Sequence, residues 1–450
     1  MNESALIVLA AGKGTRMKSA LPKVMHRAAG RSLLGHVLTA SARVAPVKAV
    51  VVTGPGMAEL EGEARRFIPA ARFAVQTERN GTAHAVLMAR PALESFKGTI
   101  IILYGDVPLI RPETVGAMAE AVTPATPMAI LGFRAADPKG YGRLIQNGTG
   151  QVIAIREELD ANPDERTINI CNSGVIAVSS AILWPLLAKV GNDNAKGEYY
   201  LTDLVELAVS AGHPVALTEC PESEVMGVNT RAQLAEVERL LQQDYRKSAM
   251  DGGATLIAPE TVFFSADTKI GSDVVIEPHV YFGPGVEIGD NVNILAFSHI
   301  EGARIGDGAR IGPFARLRPG ANIGVDAHIG NFVEIKNAKI EPGAKANHLS
   351  YIGDARIGAK SNIGAGTITC NYDGFEKHLT DIGADVFVGS NTALVAPVKV
   401  GDGANIGAGS VITKDVPPHS LALTRGPLDV REGWAAKYRE IKKARKKSKV

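Results

Sequence analysis

Cysteine and tryptophan are scarce in this chain of 450 residues, which has 3 Cys and 2 Trp. The cysteines, Cys171, Cys220 and Cys370, lie far apart and without metal-ligand spacing. That excludes a disulfide scaffold and fits a reducing, cytoplasmic home. Charge of one sign is also missing: 49 basic against 47 acidic residues leave a net charge of +2, too little for a global nucleic-acid-binding field. No apolar run approaches the length of a membrane span. The amino terminus, MNESALIVLAAGKG, has neither a basic leader nor a small-residue cleavage site. Neither a membrane nor a nucleic acid is therefore expected as a partner. With 45% hydrophobic residues, the length suffices for two or three domains with substantial cores.

What is present is a rhythm. From Ile270 to Ile412 an apolar residue recurs every six positions: Ile270, Ile276, Phe282, Ile288, Ile294 and Ile300, then, after a five-residue step, Ile305, Ile311, Leu317, Ile323, Ile329 and Ile335. Two more short steps lead through Ile340, Ala346, Ile352, Ile357 and Ile363. Past a break, Ile382, Val388, Leu394, Val400, Ile406 and Ile412 resume the beat. Neither a helix nor a flat strand has a period of six, but a hexapeptide β-helix does. Each rung is a short strand with one residue pointing inward, and glycine, which follows most of these anchors, permits the sharp corner. Three rungs make one triangular coil, stacked about 4.8 Å above the last by strand pairing.

The residues before the repeat read differently. Short apolar runs, Ala5 to Leu9, Ala49 to Val52 and Ile100 to Leu103, alternate with amphipathic segments, which predicts a mostly parallel sheet covered by helices, an α/β Rossmann-like domain. Thr230 with Gln233 forms a capping-box signature, and Leu234, Val237, Leu240 and Leu241 a helical stripe. The expected organisation is an α/β domain over residues 1–229, a helical linker over 230–250 and a β-helix domain over 251–450. From Lys437 to Lys449 a basic tail carries eight Lys or Arg against one Glu. It is read either as a solvated, partly ordered end or as a contact for a phosphorylated ligand or a neighbouring subunit.

Two features of the first domain carry chemistry. The segment Leu9-Ala10-Ala11-Gly12-Lys13-Gly14-Thr15-Arg16-Met17 follows the first strand directly, so its backbone can approach a phosphate and the next helix start offers free N–H groups. Lys13, Arg16 and Lys23 add positive charge. The spacing matches neither the P-loop nor the dinucleotide fingerprint. Tyr104-Gly105-Asp106-Val107-Pro108 stands at the carboxyl end of an apolar strand, where open α/β sheets bind ligands. Asp106 with Asn229, in Gly227-Val228-Asn229, has the oxygen chemistry that accompanies Mg²⁺ and substrate phosphates.

These residues resemble the sugar-nucleotide pyrophosphorylases, whose signature is LAAGKGTRM with a downstream lysine. Over essentially the full chain they resemble the bifunctional N-acetylglucosamine-1-phosphate uridyltransferase/glucosamine-1-phosphate acetyltransferase (GlmU) family. The resemblance implies that Leu9, Ala10, Ala11 and Gly12 hold the uridine nucleotide, with Lys23 near its phosphates and Tyr104, Gly105 and Asp106 beside them. Gln76, Gly81 and Thr82 match the uracil-reading segment. Gly140, Glu157 and Asn172 match contacts to the amino sugar, and Asp106 and Asn229 the Mg²⁺ ligands. The implied reaction is in-line attack of a sugar 1-phosphate on the α-phosphate of UTP. It needs positioning and charge neutralisation, roles for Lys23, Arg16 and the metal, more than a proton shuttle.

Within the β-helix, departures from the rhythm are informative. The break from Gly364 to Asp381 reads as a loop excluded from the coil and holds Asn371, Tyr372 and Lys377. Arg318 and Lys336 are 18 residues apart, one full coil, and so project from one face at successive levels, where two cations suit a phosphate. His348, in Asn347-His348-Leu349-Ser350-Tyr351, is the best general-base candidate because imidazole titrates near neutrality. By the resemblance, His348 deprotonates the amine of glucosamine 1-phosphate, which attacks the thioester of acetyl-CoA. Arg318 and Lys336 then match the phosphate contacts, with Tyr351, Asn362, Asn371 and Lys377 around the sugar. Ala365, Asn371, Tyr372, Ser390, Ala408 and Arg425 match acetyl-CoA positions. A donor near Asn371 or Tyr372, side chain or backbone, would stabilise the oxyanion.

A prism with three flat faces packs three-fold readily, so a homotrimer is expected, as the resemblance also implies. Two rivals are a single-activity sugar-1-phosphate nucleotidyltransferase whose β-helix serves only assembly or regulation, and a non-enzymatic trimerising scaffold. Sequential use of both implied sites would yield UDP-N-acetylglucosamine, a precursor of bacterial cell-wall polymers and lipopolysaccharide. Cys370 lies in the loop but direct amine attack needs no thiolate. Cys370→Ala is accordingly expected to keep most acetyl transfer, measured as thiol release from acetyl-CoA.

Overall fold

The computed structural model describes residues 3–447, which fall into two compact units, Met1–Tyr245 and Arg246–Val450. In the first, nine strands share one sheet: Ser4–Leu9 (β1), Lys48–Thr53 (β2), Arg72–Val75 (β3), Thr99–Tyr104 (β4), Met128–Arg134 (β5), Arg143–Gln146 (β6), Val152–Arg156 (β7), Ile170–Ser179 (β8) and Val215–Cys220 (β9). The order is β9-β5-β8-β4-β1-β2-β3, with the β6–β7 hairpin hung from β8. All pairings on this path are parallel except those of β8, which runs antiparallel to β4 and β5.

The apolar runs have no polar alternation because the sheet is buried on both faces. Successive β1 residues feed two separate cores. Ala5 and Ile7 join one with the helix Thr82–Met88, and Leu6 and Val8 join the other with the helix Leu33–Ala42. The carboxyl ends of β1 and β4 are register partners, Leu9 beside Tyr104, so the chain leaves both strands on the same side.

The second unit is a parallel β-helix with three walls. Ile276, Ile294, Ile311, Ile329, Ala346, Ile363, Val388 and Ile406 stack along one, and Ile270, Ile288, Ile305, Ile323, Ile340, Ile357, Ile382 and Val400 along another. Phe282, Ile300, Leu317, Ile335, Ile352, Thr369, Leu394 and Ile412 fill the third. Thr369 is an inward position that hydropathy hides. It is buried, accepting from the Gly353 N–H at 2.8 Å and donating to the Gly353 carbonyl at 3.0 Å. The expected loop over 364–381 is therefore too long. Ile368–Cys370 and Thr380–Ile382 are rungs of the coil, and only the residues between them leave it. An exposed ladder of Phe297, Phe314 and Phe332 runs up one corner with rings 4.9 and 5.2 Å apart.

The helix Arg231–Asp251 contains the boundary between the units. The Gln233 carboxamide oxygen accepts from the Asn229 and Thr230 N–H groups, and the Thr230 hydroxyl accepts from the Gln233 N–H. The basic tail is helical over Trp434–Lys447 and exposed as far as Lys446; Lys449, which belongs to the same charge run, lies outside the described residues. Among the described residues no helix is long and apolar enough to cross a membrane.

Leu317 is fully buried between Ile300 and Ile335. Leu317→Ala should destabilise the second unit by about 2–5 kcal/mol in denaturant unfolding. Val411→Ala, on the exposed side of a rung, should change it by no more than about 0.5 kcal/mol.

Candidate active sites

At the carboxyl end of β1 and β4 lies a cavity of about 260 Å³. Its wall includes Leu9, Ala10, Ala11 and Gly12 from the loop after β1, Lys23, Gln76, Gly81 and Thr82, and Tyr104 and Asp106 from the turn after β4. Gly14 has φ +63°, and a Cβ there would stand 2.5 Å from Lys23 Cβ, so the loop closes over Lys23 only with glycine. The Gln76 amide donates to the Gly81 carbonyl at 3.0 Å, which ties the two ends of that segment together.

Lys23 Nζ makes an ion pair with Asp106 Oδ2 and donates to Asn229 Oδ1 at 3.0 Å; Arg16 donates to the same oxygen at 2.9 Å. The Val228 N–H donates to the Asp106 carbonyl at 2.9 Å, clamping the two oxygen-bearing loops. Among the described residues there is no group of three or more His, Cys, Asp or Glu that could hold a metal ion. Mg²⁺ bound with substrate phosphates needs only one or two protein oxygens. Asp106 and Asn229 already converge on one cation, the Lys23 ammonium, and that convergence fits such an ion.

Gly140, Glu157 and Asn172 lie outside the cavity wall, and of these Glu157 and Asn172 are linked to Tyr104. The Tyr104 ring packs on Gly174, whose N–H donates to Asn172 Oδ1 at 3.0 Å, and the Asn172 N–H donates to the Gly142 carbonyl at 2.8 Å. Burial raises the Tyr104 phenol, as do the charges of Glu157 and Asp106, against a hydrogen bond with Thr82. Burial also pushes the Glu157 carboxyl up, opposed by Lys196 and Thr202. The Gly140 N–H donates to Glu158 at 3.2 Å, and Glu158 pairs with the buried Arg143 at 2.7 Å. Gly105 supports the turn, its N–H bonded to the Leu9 carbonyl at 2.9 Å.

In the second unit the coil register assembles a cation cluster. Leu317 pairs with Ile335, which sets Arg318 beside Lys336, and Lys336 pairs with Gly353, over which the Tyr351 ring lies. The excluded loop folds back through a Tyr372–Lys377 bridge and a His378 N–H to Asn371 carbonyl bond of 2.8 Å. Asp373 accepts from the Phe375 and Glu376 N–H groups and from His378, contacts that hold its carboxyl far below the usual range. This brings Lys377 close enough to Lys336 to perturb its charge. Asp354 sits among these cations. Burial opposes its ionisation, yet hydrogen bonds from Asn337 and Asn371 and the charges of Lys336 and Lys377 hold its carboxyl below the usual value. Arg318 donates to Glu334 at 2.9 Å.

His348 is exposed at the end of the neighbouring wall, its Nδ1 2.7 Å from Asn331 Oδ1. One corner column continues from it through Ala365, Ser390 and Ala408. The same corner hydrogen bond recurs along it: Leu349 N–H to Asn331 carbonyl, Asn391 N–H to Ala365 carbonyl, Gly409 N–H to Ser390 carbonyl. Arg425 runs beside Gly407 and Gly409 in that column. Asn362 stands apart from the cations, on the wall of His348 and in register with Lys345. Tyr372 is exposed at the loop, its hydroxyl donating to the Gly374 carbonyl.

Sequence reasoning passed over Arg79, which lines the cavity and donates to the Ala11 carbonyl at 3.1 Å, and Glu198, which also lines it. It missed Asp354 and Asn331 as well. For these two a signal existed, since Asn331 lies one 17-residue coil before His348 and Asp354 one such coil after Asn337. Glu198 had none.

Residues 6–246 match the MobA-like NTP transferase domain, and residues 267–302, 302–337 and 380–414 match the bacterial transferase hexapeptide (six repeats). A curated protein of Azorhizobium caulinodans, named bifunctional protein GlmU, is 56% identical over 100% of both chains. Proteins of the same name from Rhodospirillum rubrum and Paramagnetospirillum magneticum are 60% and 55% identical; the first alignment covers 98% of each chain, the second 99% of this chain and 98% of the relative.

The paired lysines supply a test. Lys377, by hydrogen bond and charge, holds the Lys336 ammonium below the ordinary lysine value, helped by desolvation and Arg318 and opposed by Asp354. A lowered pKa means that the positive charge is lost earlier as pH rises. As pH rises, calorimetric affinity for glucosamine 1-phosphate should therefore begin to fall before the pH of about 10.4 at which a free lysine titrates. In Lys377→Ala the fall should move to higher pH, although affinity at neutral pH is weaker.

Proposed function

The chain belongs to the bifunctional GlmU family, and from that premise we propose that it makes UDP-N-acetylglucosamine in two steps at two separate sites. The observation that carries this reading is that one chain holds both constellations: the cavity with Lys23, Asp106 and Asn229 in the first unit, and His348 with the Arg318–Lys336–Lys377 cations in the second. A β-helix used only for assembly leaves those cations and that histidine without a purpose, and the relatives matched along the whole chain are named bifunctional.

In the second unit, Arg318, Lys336 and Lys377 bind the phosphate of glucosamine 1-phosphate, with Tyr351, Asn362 and Asn371 about the sugar. Acetyl-CoA lies along the corner column of Ala365, Ser390 and Ala408, with Tyr372 and Arg425 flanking it. His348 Nε2 takes a proton from the sugar amine while the amine lone pair attacks the thioester carbonyl carbon. The C–N bond forms, the C–S bond breaks, and the proton passes to the leaving thiolate of CoA. One N–H of Asn371 is bonded to Asp354, so its second N–H or a backbone N–H nearby serves the oxyanion.

In the first unit, the backbone of Leu9 to Gly12 cradles UTP, and Gln76, Gly81 and Thr82 orient its base. Gly140, Glu157 and Asn172 orient N-acetylglucosamine 1-phosphate so that a phosphate oxygen attacks the α-phosphorus, the α–β bridge breaks and pyrophosphate leaves. Lys23 and Arg16 spread the charge on the equatorial and leaving oxygens. Asp106 and Asn229 would hold Mg²⁺, which when bound neutralises phosphate charge. The flat-walled coil serves a homotrimer; an active monomer in sedimentation would contradict that.

Asp106→Ala should lower uridylyl transfer at least about 100-fold, by loss of charge stabilisation in the transition state, and leave acetyl transfer intact. His348→Ala should do the reverse. Thiol release from acetyl-CoA with glucosamine 1-phosphate, and in a separate assay pyrophosphate release from UTP with N-acetylglucosamine 1-phosphate and Mg²⁺, read the two activities independently. Both activities falling together in either variant would refute the two-site reading.

A further inference from the structure

The general base has a partner that the reaction scheme above does not use. Asn331 is the register partner of His348 one coil below, and its carboxamide oxygen stands 2.7 Å from His348 Nδ1. A carboxamide oxygen only accepts, so Nδ1 is the nitrogen that carries the proton in this contact. The next coil leaves no room for a side chain at Gly330, where a Cβ would meet the Asn347 carbonyl oxygen at 1.9 Å. The backbone of Asn331 is itself held, its carbonyl accepting the Leu349 N–H at 3.0 Å. The partner therefore sits on a rung of the coil, while His348 is exposed and its ring makes no other hydrogen bond among the described residues.

We propose that Asn331 is a positioning residue for acetyl transfer: it fixes the neutral imidazole with its proton on Nδ1 and so presents the Nε2 lone pair to the sugar amine. When Nε2 takes the amine proton, the Nδ1–H···Oδ1 bond persists and strengthens as the ring becomes cationic. The same bond sets the ring plane, which a lone exposed histidine leaves free to rotate. This inference rests on the assignment of His348 as the base.

The test uses the full-length protein. Asn331→Ala should lower kcat for acetyl transfer about 10–100-fold, the scale of loss when the hydrogen-bond partner that orients a metal-bound histidine is removed. KM for glucosamine 1-phosphate should stay within about twofold, because a residue that acts through His348 alone changes the chemical step and not ground-state binding. Uridylyl transfer and the unfolding transition should be unchanged. Asn331→Asp, which keeps an acceptor oxygen, should recover most of the loss, and Asn331→Leu none of it.

A direct readout is the ¹⁵N spectrum of histidine-labelled protein, with the His348 signals assigned by their loss in His348→Gln. Wild type should show protonated Nδ1 and free Nε2, and Asn331→Ala a shift toward the opposite tautomer. Wild-type kcat in Asn331→Ala, equal losses in the Asp and Leu variants, or an unmoved tautomer would overturn the proposal. If His348→Gln itself retains acetyl transfer, the base assignment fails instead, and the two failures are thereby distinguished.

Discussion

Parallel strands pair residue beside residue, and in both units this gathers side chains that lie far apart in the chain. In the first unit Leu9 and Tyr104 are register partners, so the loop after β1 and the turn after β4 leave the sheet together and frame one cavity. In the second, each coil returns after 17 or 18 residues, or 25 where the loop leaves the coil, as Ile294–Ile311, Ile276–Ile294 and Ile363–Val388 show. A residue at a corner thus lies directly over one a full coil earlier. His348 meets Asn331 this way, and Arg318 meets Lys336. Slipping the register by one position would turn every inward anchor out and scatter both groups.

The two sites store charge differently. In the cavity, the Lys23 ammonium satisfies Asp106 and Asn229 together, with the Lys23 and Asp106 side chains only 13% and 16% exposed. The oxygens are thereby held at the spacing of one shared cation before any ligand arrives. On the β-helix the cations outnumber their partners. Asp354 is shared among Asn337, Asn371 and two lysines, while Lys336 and Lys377 crowd each other. A doubly charged phosphate would relieve that crowding, so the electrostatics favour the ligand class that the coil geometry accommodates.

The anchors from Ile270 to Ile412 reveal the β-helix because a period of six has few alternatives, and the buried runs of the first unit reveal its sheet for a similar reason. Thr369 gives no such sign, because its hydroxyl is hidden among backbone groups of Gly353. A polar side chain satisfied in the core carries no hydropathy signal, so a rung of the coil looked like loop. Among site residues, motif segments pointed to the loop after β1, Asp106 and Asn229. Arg79 and Glu198 carried no comparable pattern, since they line the cavity only through the path of the surrounding chain.

By itself the order of residues determined the two architectures, the phase of the coil and the types of chemical group available, because these follow from periodicity and residue identity. Only the tertiary structure decided which groups meet. Lys23 finds Asp106 83 residues away and Asn229 206 residues away, and such contacts depend on the summed course of every intervening strand and turn. It also decided which imidazole nitrogen of His348 faces Asn331, because side-chain rotation is set by neighbours that packing brings into place.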